Sequence, residues 1–355
     1  MYKKFFMGIA AMAALTLVSC SSDDLNSVSD NSSKNEAISF DGYLGRSAVA
    51  VNGSRGSVLD NTTLKDPANK GFGVFGNYKS TDDKEFGSNW FNNVQVTYDA
   101  SATPAWKYSP LKYWLPEGHI DFLAYAPYDS QYDNQVSKDN QKLVFEVNST
   151  IKNQKDLLWA NATNKTKADG TVTFNFKHAL AKIGYSVKLK EAYSGATITL
   201  KKITLAGSAT EPTKEAFYTK GTIDLSKTSS DANLWTISTP AEKQYFNWFS
   251  ATQALSTTVY NNPNTEYLFV IPQDFSKTTS GADALYVIVE YTVEFPLQTG
   301  TTAPMKSTVS RKLEKNFEQG KAYMINLTIG LTPIEFDADV TDWGVDDEIN
   351  IDSWK

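Results

Sequence analysis

Val172-Thr173-Phe174-Asn175-Phe176-Lys177-His178-Ala179-Leu180-Ala181-Lys182-Ile183-Gly184-Tyr185-Ser186-Val187-Lys188-Leu189 decides how this chain folds. Val172, Phe174 and Phe176 are apolar at every second position. Ile183, Tyr185, Val187 and Leu189 repeat the pattern on the opposite parity. A period of two marks strands, because successive side chains point to opposite faces of a sheet. A strand cannot change parity without a break, so Lys177 to Lys182 is predicted to be a turn or one helical turn.

The same alternation spreads outward in both directions. Upstream lie Ile38–Leu44, Gly73–Tyr78, Val94–Tyr98, Trp106–Tyr108, His119–Tyr125, Leu143–Val147 and Asp156–Ala160. Downstream, Ile198 to Leu205 reverses its apolar parity at Lys201-Lys202, which predicts a β-bulge there. Tyr267–Ile271 is continuously apolar, as expected of a strand buried on both faces. Val287–Phe295, Tyr323–Leu331 and Ile334–Val340 alternate cleanly, and Pro333 separates the last two. With 8 Trp, 18 Tyr and 19 Phe and no long helical periodicity, the chain reads as all-β. Its 355 residues are too many for one ordinary β-domain. The predicted organisation is a sandwich domain over 37–170 and a second over 171–355.

The N-terminus reads as an address. Lys3 and Lys4 precede an apolar run from Phe5 to Val18, shorter than the roughly 20 residues of a spanning helix. That is the layout of a secretory signal, predicted over residues 1–19. It ends at Cys20, the only cysteine, so the mature chain can form no internal disulfide. Cys20 at this position resembles the lipobox of bacterial lipoproteins. That resemblance implies acylation (palmitate among the lipids) and an outer-membrane anchor. Ser21-Ser22-Asp23-Asp24 looks like a short acidic surface-export tag. Residues 20–36 form a polar linker rich in Ser, Asp and Asn. Gly45 to Lys70 lacks any period, and so long a stretch without pattern is expected to be exposed and protease-sensitive. Arg46 and Arg55 lie within it, two of only three arginines in the chain.

Composition excludes some functions. Net charge is -6 and the isoelectric point near 5.2, which argues against nucleic acid as a partner. His119 and His178, the only histidines, belong to no metal-ligand or nucleophile–base spacing. Asp337, Asp339, Asp342, Asp346 and Asp347 lack the glycine-containing calcium loop. The glycines of Gly71-Phe72-Gly73-Val74-Phe75-Gly76 open no helix, so they do not form a phosphate loop. No metal and no cofactor is expected. The tryptophans allow a carbohydrate-binding surface lipoprotein as the alternative function, and a glycan-active enzyme as a more distant one. Trp106, Trp114 and Trp159 lie beside strand patterns and are expected in the core.

Several segments, in order, resemble the fimbrillin family, the lipoprotein subunits of Bacteroides-type (type V) pili. They are the lipobox at Cys20, Ile38-Ser39-Phe40, Gly71–Phe75, Tyr113-Trp114-Leu115-Pro116, Ile120–Pro127 and Asp156–Ala160. Val172–Lys182, Gly320-Lys321-Ala322-Tyr323 and Val340-Thr341-Asp342-Trp343 complete the set. The resemblance implies two tandem transthyretin-like antiparallel β-sandwiches, no enzymatic activity, and a subunit of an adhesive cell-surface fimbrium. It also implies assembly by strand exchange. An arginine-specific protease cuts behind the first strand, that strand leaves, and a C-terminal strand of another pilus subunit replaces it. In this chain 37–55 would hold the removable strand and its loop, with Ile38, Phe40 and Leu44 on the leaving face. Either Arg46 or Arg55 could be cut, and Ser54-Arg55-Gly56 is the more loop-like context. Ile334, Phe336, Ala338 and Val340 would form the apolar face of the donor. They could equally be the last strand of the C-terminal sandwich.

Overall fold

A computed structural model describes residues 36–44, 58–80, 90–228, 234–263, 267–277, 283–296 and 304–330, and the backbone alone of 335–342. Among these residues the regular structure is β, and the helical segments are 3-10 turns of three residues. No described helix is long and apolar enough to cross a membrane.

The first eight strands are β1 (Phe40–Leu44), β2 (Phe72–Lys79), β3 (Phe91–Tyr98), β4 (Trp106–Lys107), β5 (His119–Ala126), β6 (Lys142–Glu146), β7 (Leu158–Lys165) and β8 (Val172–His178). Seven of them form one sheet in the order β1-β8-β7-β5-β2-β3-β4. β1 runs parallel to β8, and the other pairs are antiparallel. One face of this sheet carries Phe40, Phe72, Val74, Phe122, Ala124, Phe174 and Phe176, all in one apolar cluster. The opposite face contributes Phe75, Leu123, Tyr125 and Trp159 to a second, larger cluster. The central strands β2 and β5 are therefore buried on both faces, which accounts for their nearly unbroken apolar sequences.

The remaining strands are β9 (Ala181–Leu189), β10 (Thr197–Ala206), β11 (Phe217–Tyr218), β12 (Lys220–Asp224), β13 (Trp235–Ile237), β14 (Lys243–Gln244), β15 (Phe246–Ala254), β16 (Tyr260–Asn261), β17 (Leu268–Val270), β18 (Gln273–Asp274), β19 (Tyr286–Glu294), β20 (Met305–Lys312), β21 (Asn316–Phe317), β22 (Lys321–Ile329) and β23 (Glu335–Asp342). β16-β9-β22-β23 form one sheet, with β17 also on β9, and β15-β10-β19-β20 form another. Their facing residues, among them Tyr185, Ile203, Trp248, Val289 and Ile325, build the larger cluster.

The pivot between the two regions is the break after His178. β8 ends there, and β9 begins at Ala181 on the opposite parity. Main-chain bonds pin the intervening pair: Ala179 N–H donates to Leu157 O at 2.8 Å and Gly320 N–H to Leu180 O at 3.0 Å. The indole of Trp235 donates to Ala179 O at 2.8 Å. Val172–His178 lies between β1 and β7 in the first sheet, so the chain changes sheets only at Ala179-Leu180. The halves also interleave, because β6 pairs with β12 from Lys142↔Asp224 to Glu146↔Lys220. The pattern of either strand alone carries no information about such a long-range pairing.

The bulge expected at Lys201-Lys202 is present. The register of β10 slips between Leu200 and Lys202 against both β15 and β19, so apolar side chains on either side of it stay on the core face.

Candidate functional site

Of the residues expected to act in strand exchange, Ile38, Phe40 and Leu44 lie in or just before the first strand. β1 pairs with β8 from Phe40↔Val172 to Leu44↔Phe176. Its sequence alternates, and Ile38, Phe40 and Leu44 are almost wholly buried. Phe40 is the hub. Its ring centroid lies 5.3–5.7 Å from those of Phe91, Tyr108, Phe122 and Phe174. Each buried side chain of this kind stabilises by about 1.5–3 kcal/mol. Gly42 takes the inward position between Phe40 and Leu44. A Cβ there would stand 2.9 Å from Cε1 of Phe72, so the ring fills the space a side chain would occupy.

Beyond β8, the other flank of β1 is held by side chains and loop backbone. Ile38 N–H donates to Lys112 O at 2.8 Å, and Ala37 forms an antiparallel bridge with Tyr113. The Tyr108 hydroxyl donates to Ile38 O at 2.7 Å. Burial pushes the Tyr108 phenol above its usual range, so the proton needed for this bond is retained. At the far end, Leu44 N–H donates to Asn61 Oδ1 and Asn61 Nδ2 donates to Leu44 O, both at 2.8 Å. One amide side chain thus copies the pairing of a neighbouring strand. Neither bond depends on the identity of residue 44.

Asn61 is itself firmly placed. The Asp60 carboxylate accepts from the N–H groups of Thr62 and Thr63 at 2.8 and 2.7 Å. Leu59 N–H donates to Asp156 Oδ2 at 3.1 Å, and His178 Nδ1 lies 2.8 Å from the same oxygen. Leu59 and Leu64 are buried in the cluster that holds β1. From Val58 onward the stretch is ordered although, as expected, it lacks a strand period. Two buried leucines and an Asp-centred turn order that part without any period-two signal. Arg46 and Arg55 lie outside the described residues, as do Cys20 and Ile334.

The expected donor strand lies at the other end of the chain. β23 is antiparallel to β22 at a sheet edge, with Phe336 opposite Leu327, Ala338 opposite Ile325 and Val340 opposite Tyr323. β1 and β23 thus occupy different sheets.

Alternative chemistry finds less support in the side chains. Trp106, Trp114, Trp159 and Trp248 are buried core residues rather than an exposed stacking platform. His178 is buried against Asp156. No group of three or more His, Cys, Asp or Glu suited to a metal ion occurs among the described residues. An open polar cleft of about 520 Å³ is lined by Glu211, Lys214, Glu215, Lys243 and Asp283. Its Asp283 carboxylate is already engaged by Lys243, Tyr218 and Gln273.

Residues 61–343 match the fimbrillin-like family. The chain belongs to that family. A fimbrial protein from Bacteroides vulgatus shares its fold, with TM-score 0.61 and 24% identity over 87% of this chain and 100% of that one. A candidate cell adhesion protein from Bacteroides ovatus gives TM-score 0.50 and 17% identity over 88% and 99% of the two chains. No curated protein matches. The family match begins at Asn61, so it includes the clamp residue but not β1. Sequence reasoning singled out the first strand and missed Asn61, Tyr108 and Phe72. Gly42, at an inward position of an alternating strand, was the one visible sign of a close neighbour.

Proposed function

We propose that this fimbrillin-like chain is a structural, non-catalytic subunit of an adhesive cell-surface pilus. It is exported as a lipoprotein through Cys20, reaches the outer membrane, and is built into the fimbrium by strand exchange with other subunits. An arginine-specific protease cuts at Arg46 or Arg55. The first strand, with Ile38, Phe40 and Leu44, then leaves, and a strand bearing Ile334, Phe336, Ala338 and Val340 replaces it. Two sandwich bodies of transthyretin-like type belong to the same proposal, supported by the two separate apolar clusters.

The observation that carries this reading is the setting of β1. It is an edge strand, joined to the sheet through β8 alone, yet Phe40 and Leu44 within it and Ile38 just before it are almost wholly buried. Its loss would leave an apolar groove beside an unpaired strand edge, the kind of surface that captures another strand.

The test is N-terminal sequencing of the protein recovered from surface pili, together with deletion of residues 334–355. A mature start immediately after Arg46 or Arg55, and loss of polymers on deletion, are expected. A pilus-borne chain that retains residues 38–44 would overturn the processing step. Polymers formed by the deleted chain would overturn the donor assignment.

A further inference from the structure

The open cleft lined by Glu211, Lys214, Glu215, Lys243 and Asp283 holds an arrangement that strand exchange does not use. Lys243 lies on β14 directly opposite Tyr218 of β11. Its ammonium group stands 4.8 Å from the centroid of the Tyr218 ring and touches Oδ1 of Asp283. Asp283 lies just before β19, far along the chain from β14. The two side chains are only 25% and 27% exposed, so the pair is largely withdrawn from solvent.

The second oxygen of Asp283 distinguishes this contact from a plain ion pair. Oδ2 accepts from the Tyr218 hydroxyl and from Gln273 Nε2, both at 3.0 Å. Gln273 is buried and fixed in turn. Its Nε2 also donates to Ala216 O at 3.0 Å, and its Oε1 accepts from Tyr218 N–H at 3.2 Å. Burial and the Asp283 carboxylate hold the Tyr218 phenol above its usual range, so it keeps the proton it donates. One carboxyl oxygen thus meets an amine, and the other meets two preset donors. Acyl transfer needs that division, with donors waiting where negative charge gathers.

We propose that Lys243 and Asp283 condense into an intramolecular amide, which ties β14 covalently to the start of β19. One proton passes from Nζ to Oδ1, giving a neutral amine and a neutral acid. Nζ then attacks Cγ, and an electron pair of the Cγ–Oδ2 double bond moves onto Oδ2, where Tyr218 and Gln273 hold it. A second proton passes from Nζ to Oδ1, the Cγ–Oδ1 bond breaks, and Oδ1 departs as water through the cleft. Ammonium and carboxylate become amide and water, so no oxidant, nucleotide or cofactor is consumed. A well-oriented intramolecular pair reacts at an effective concentration of about 10⁵–10⁸ M, well above that of the water that opposes condensation.

The experiment follows the full chain carrying Cys20→Ser by intact-mass and tryptic peptide mass spectrometry during incubation. The chain should become lighter than its sequence by one water. Trypsin should no longer cut after Lys243, and the peptides holding Lys243 and Asp283 should appear as one branched species. This mapping requires no variant to fold. Lys243→Arg keeps a cation beside Asp283 but lacks a competent amine, so it should retain its full mass. Tyr218→Phe removes one donor and should slow condensation about a hundredfold. A parent chain that keeps its full mass and is still cut after Lys243 overturns the proposal and leaves an ion pair. A mass deficit that persists in Lys243→Arg overturns it equally. Condensation of Tyr218→Phe at the parent rate overturns the role assigned to the two donors.

Discussion

The first and last strands have similar sequences and unlike attachments. β1 is paired along five positions with one parallel neighbour and closed in by a phenol, a carboxamide and a ring of aromatics. β23 is paired along eight positions with the strand just before it, antiparallel, at an open sheet edge. The first attachment is made of side chains that lie far from it in sequence. The second is a main-chain ladder across a short connection, which carries little loop-closure cost. Removing β1 opens a shaped groove, whereas freeing β23 exposes a generic edge. An exchange needs such asymmetry, with one strand difficult to release until the chain is cut and another able to detach and re-form locally.

The largest expected effect tests that asymmetry directly. Phe40→Ala should destabilise the uncut chain by about 3–5 kcal/mol, because a fully buried phenylalanine is removed from a rigid aromatic surround. The same change in the last strand, Phe336→Ala, should leave urea and thermal unfolding of the uncut chain near wild type and act instead on assembly. Equal destabilisation by the two variants would mean that β23 is an ordinary core strand. Gly42→Leu comes next. The added side chain meets the Phe72 ring, and overpacking of this kind costs about 1–3 kcal/mol. Faster spontaneous release of the first strand after cutting would accompany it, measured by size-exclusion chromatography of the cut protein. Release at the wild-type rate would show that the ring yields freely.

Asn61 closes one end of the groove. Asn61→Ala removes two hydrogen bonds to Leu44, each worth about 0.5–1.5 kcal/mol. Amide exchange at Leu44 should quicken about tenfold, while that of the β2–β5 pair stays unchanged. Proteolysis provides a second readout. A protease docks its substrate as an extended strand through main-chain bonds, and Leu44 lies just before Gly45-Arg46 with both its main-chain groups already taken. Arg55 should therefore be cut before Arg46 in the wild-type chain, and Asn61→Ala should raise the share of cuts at Arg46. An unchanged ratio of the two N-termini by mass spectrometry would remove Asn61 from the choice of site.

How much of the fold was legible in the sequence depends on the range of the interactions. Period-two alternation exposed the strands, and the parity flips placed both the turn after His178 and the bulge at Lys202, since each is a local geometric necessity. The alternation of residues 38–44 also revealed which side chains would be buried. The features that stayed hidden depend on pairing across long separations. β8 belongs with β1 and not with β9, its neighbour in the chain, and β6 crosses to β12. Asn61 gave no signal at all, because an asparagine in a polar stretch reads the same whether it faces water or copies a strand. The order of residues 58–70 was missed for a related reason. Two leucines within a turn of polar residues are enough to anchor it, but they form no repeating pattern.

The smallest expected effect concerns Tyr108, which closes the groove at the opposite end from Asn61. Burial raises its phenol pKa above the ordinary value near 10. At pH below that value both folded and unfolded chains keep the proton, and the bond to Ile38 O is fully present. As pH rises past 10, the unfolded chain releases the proton while the folded one retains it, so stability must fall with pH. Tyr323, on β22 opposite Val340 of the last strand, behaves alike, its phenol pushed up to about 12 chiefly by burial. Urea midpoints should therefore be level between pH 7 and 9 and lower at pH 10.5. Tyr108→Phe should cost about 0.5–1.5 kcal/mol at pH 7, the worth of one hydrogen bond. Because it removes one titrating group from the groove, its further loss between pH 9 and 10.5 should be smaller than that of the wild type, whereas Tyr323→Phe should reduce the alkaline loss without altering the exchange rate of the β1 amides. If Tyr108→Phe and the wild type lose equal stability over that interval, the hydroxyl is not held in its protonated form by the groove.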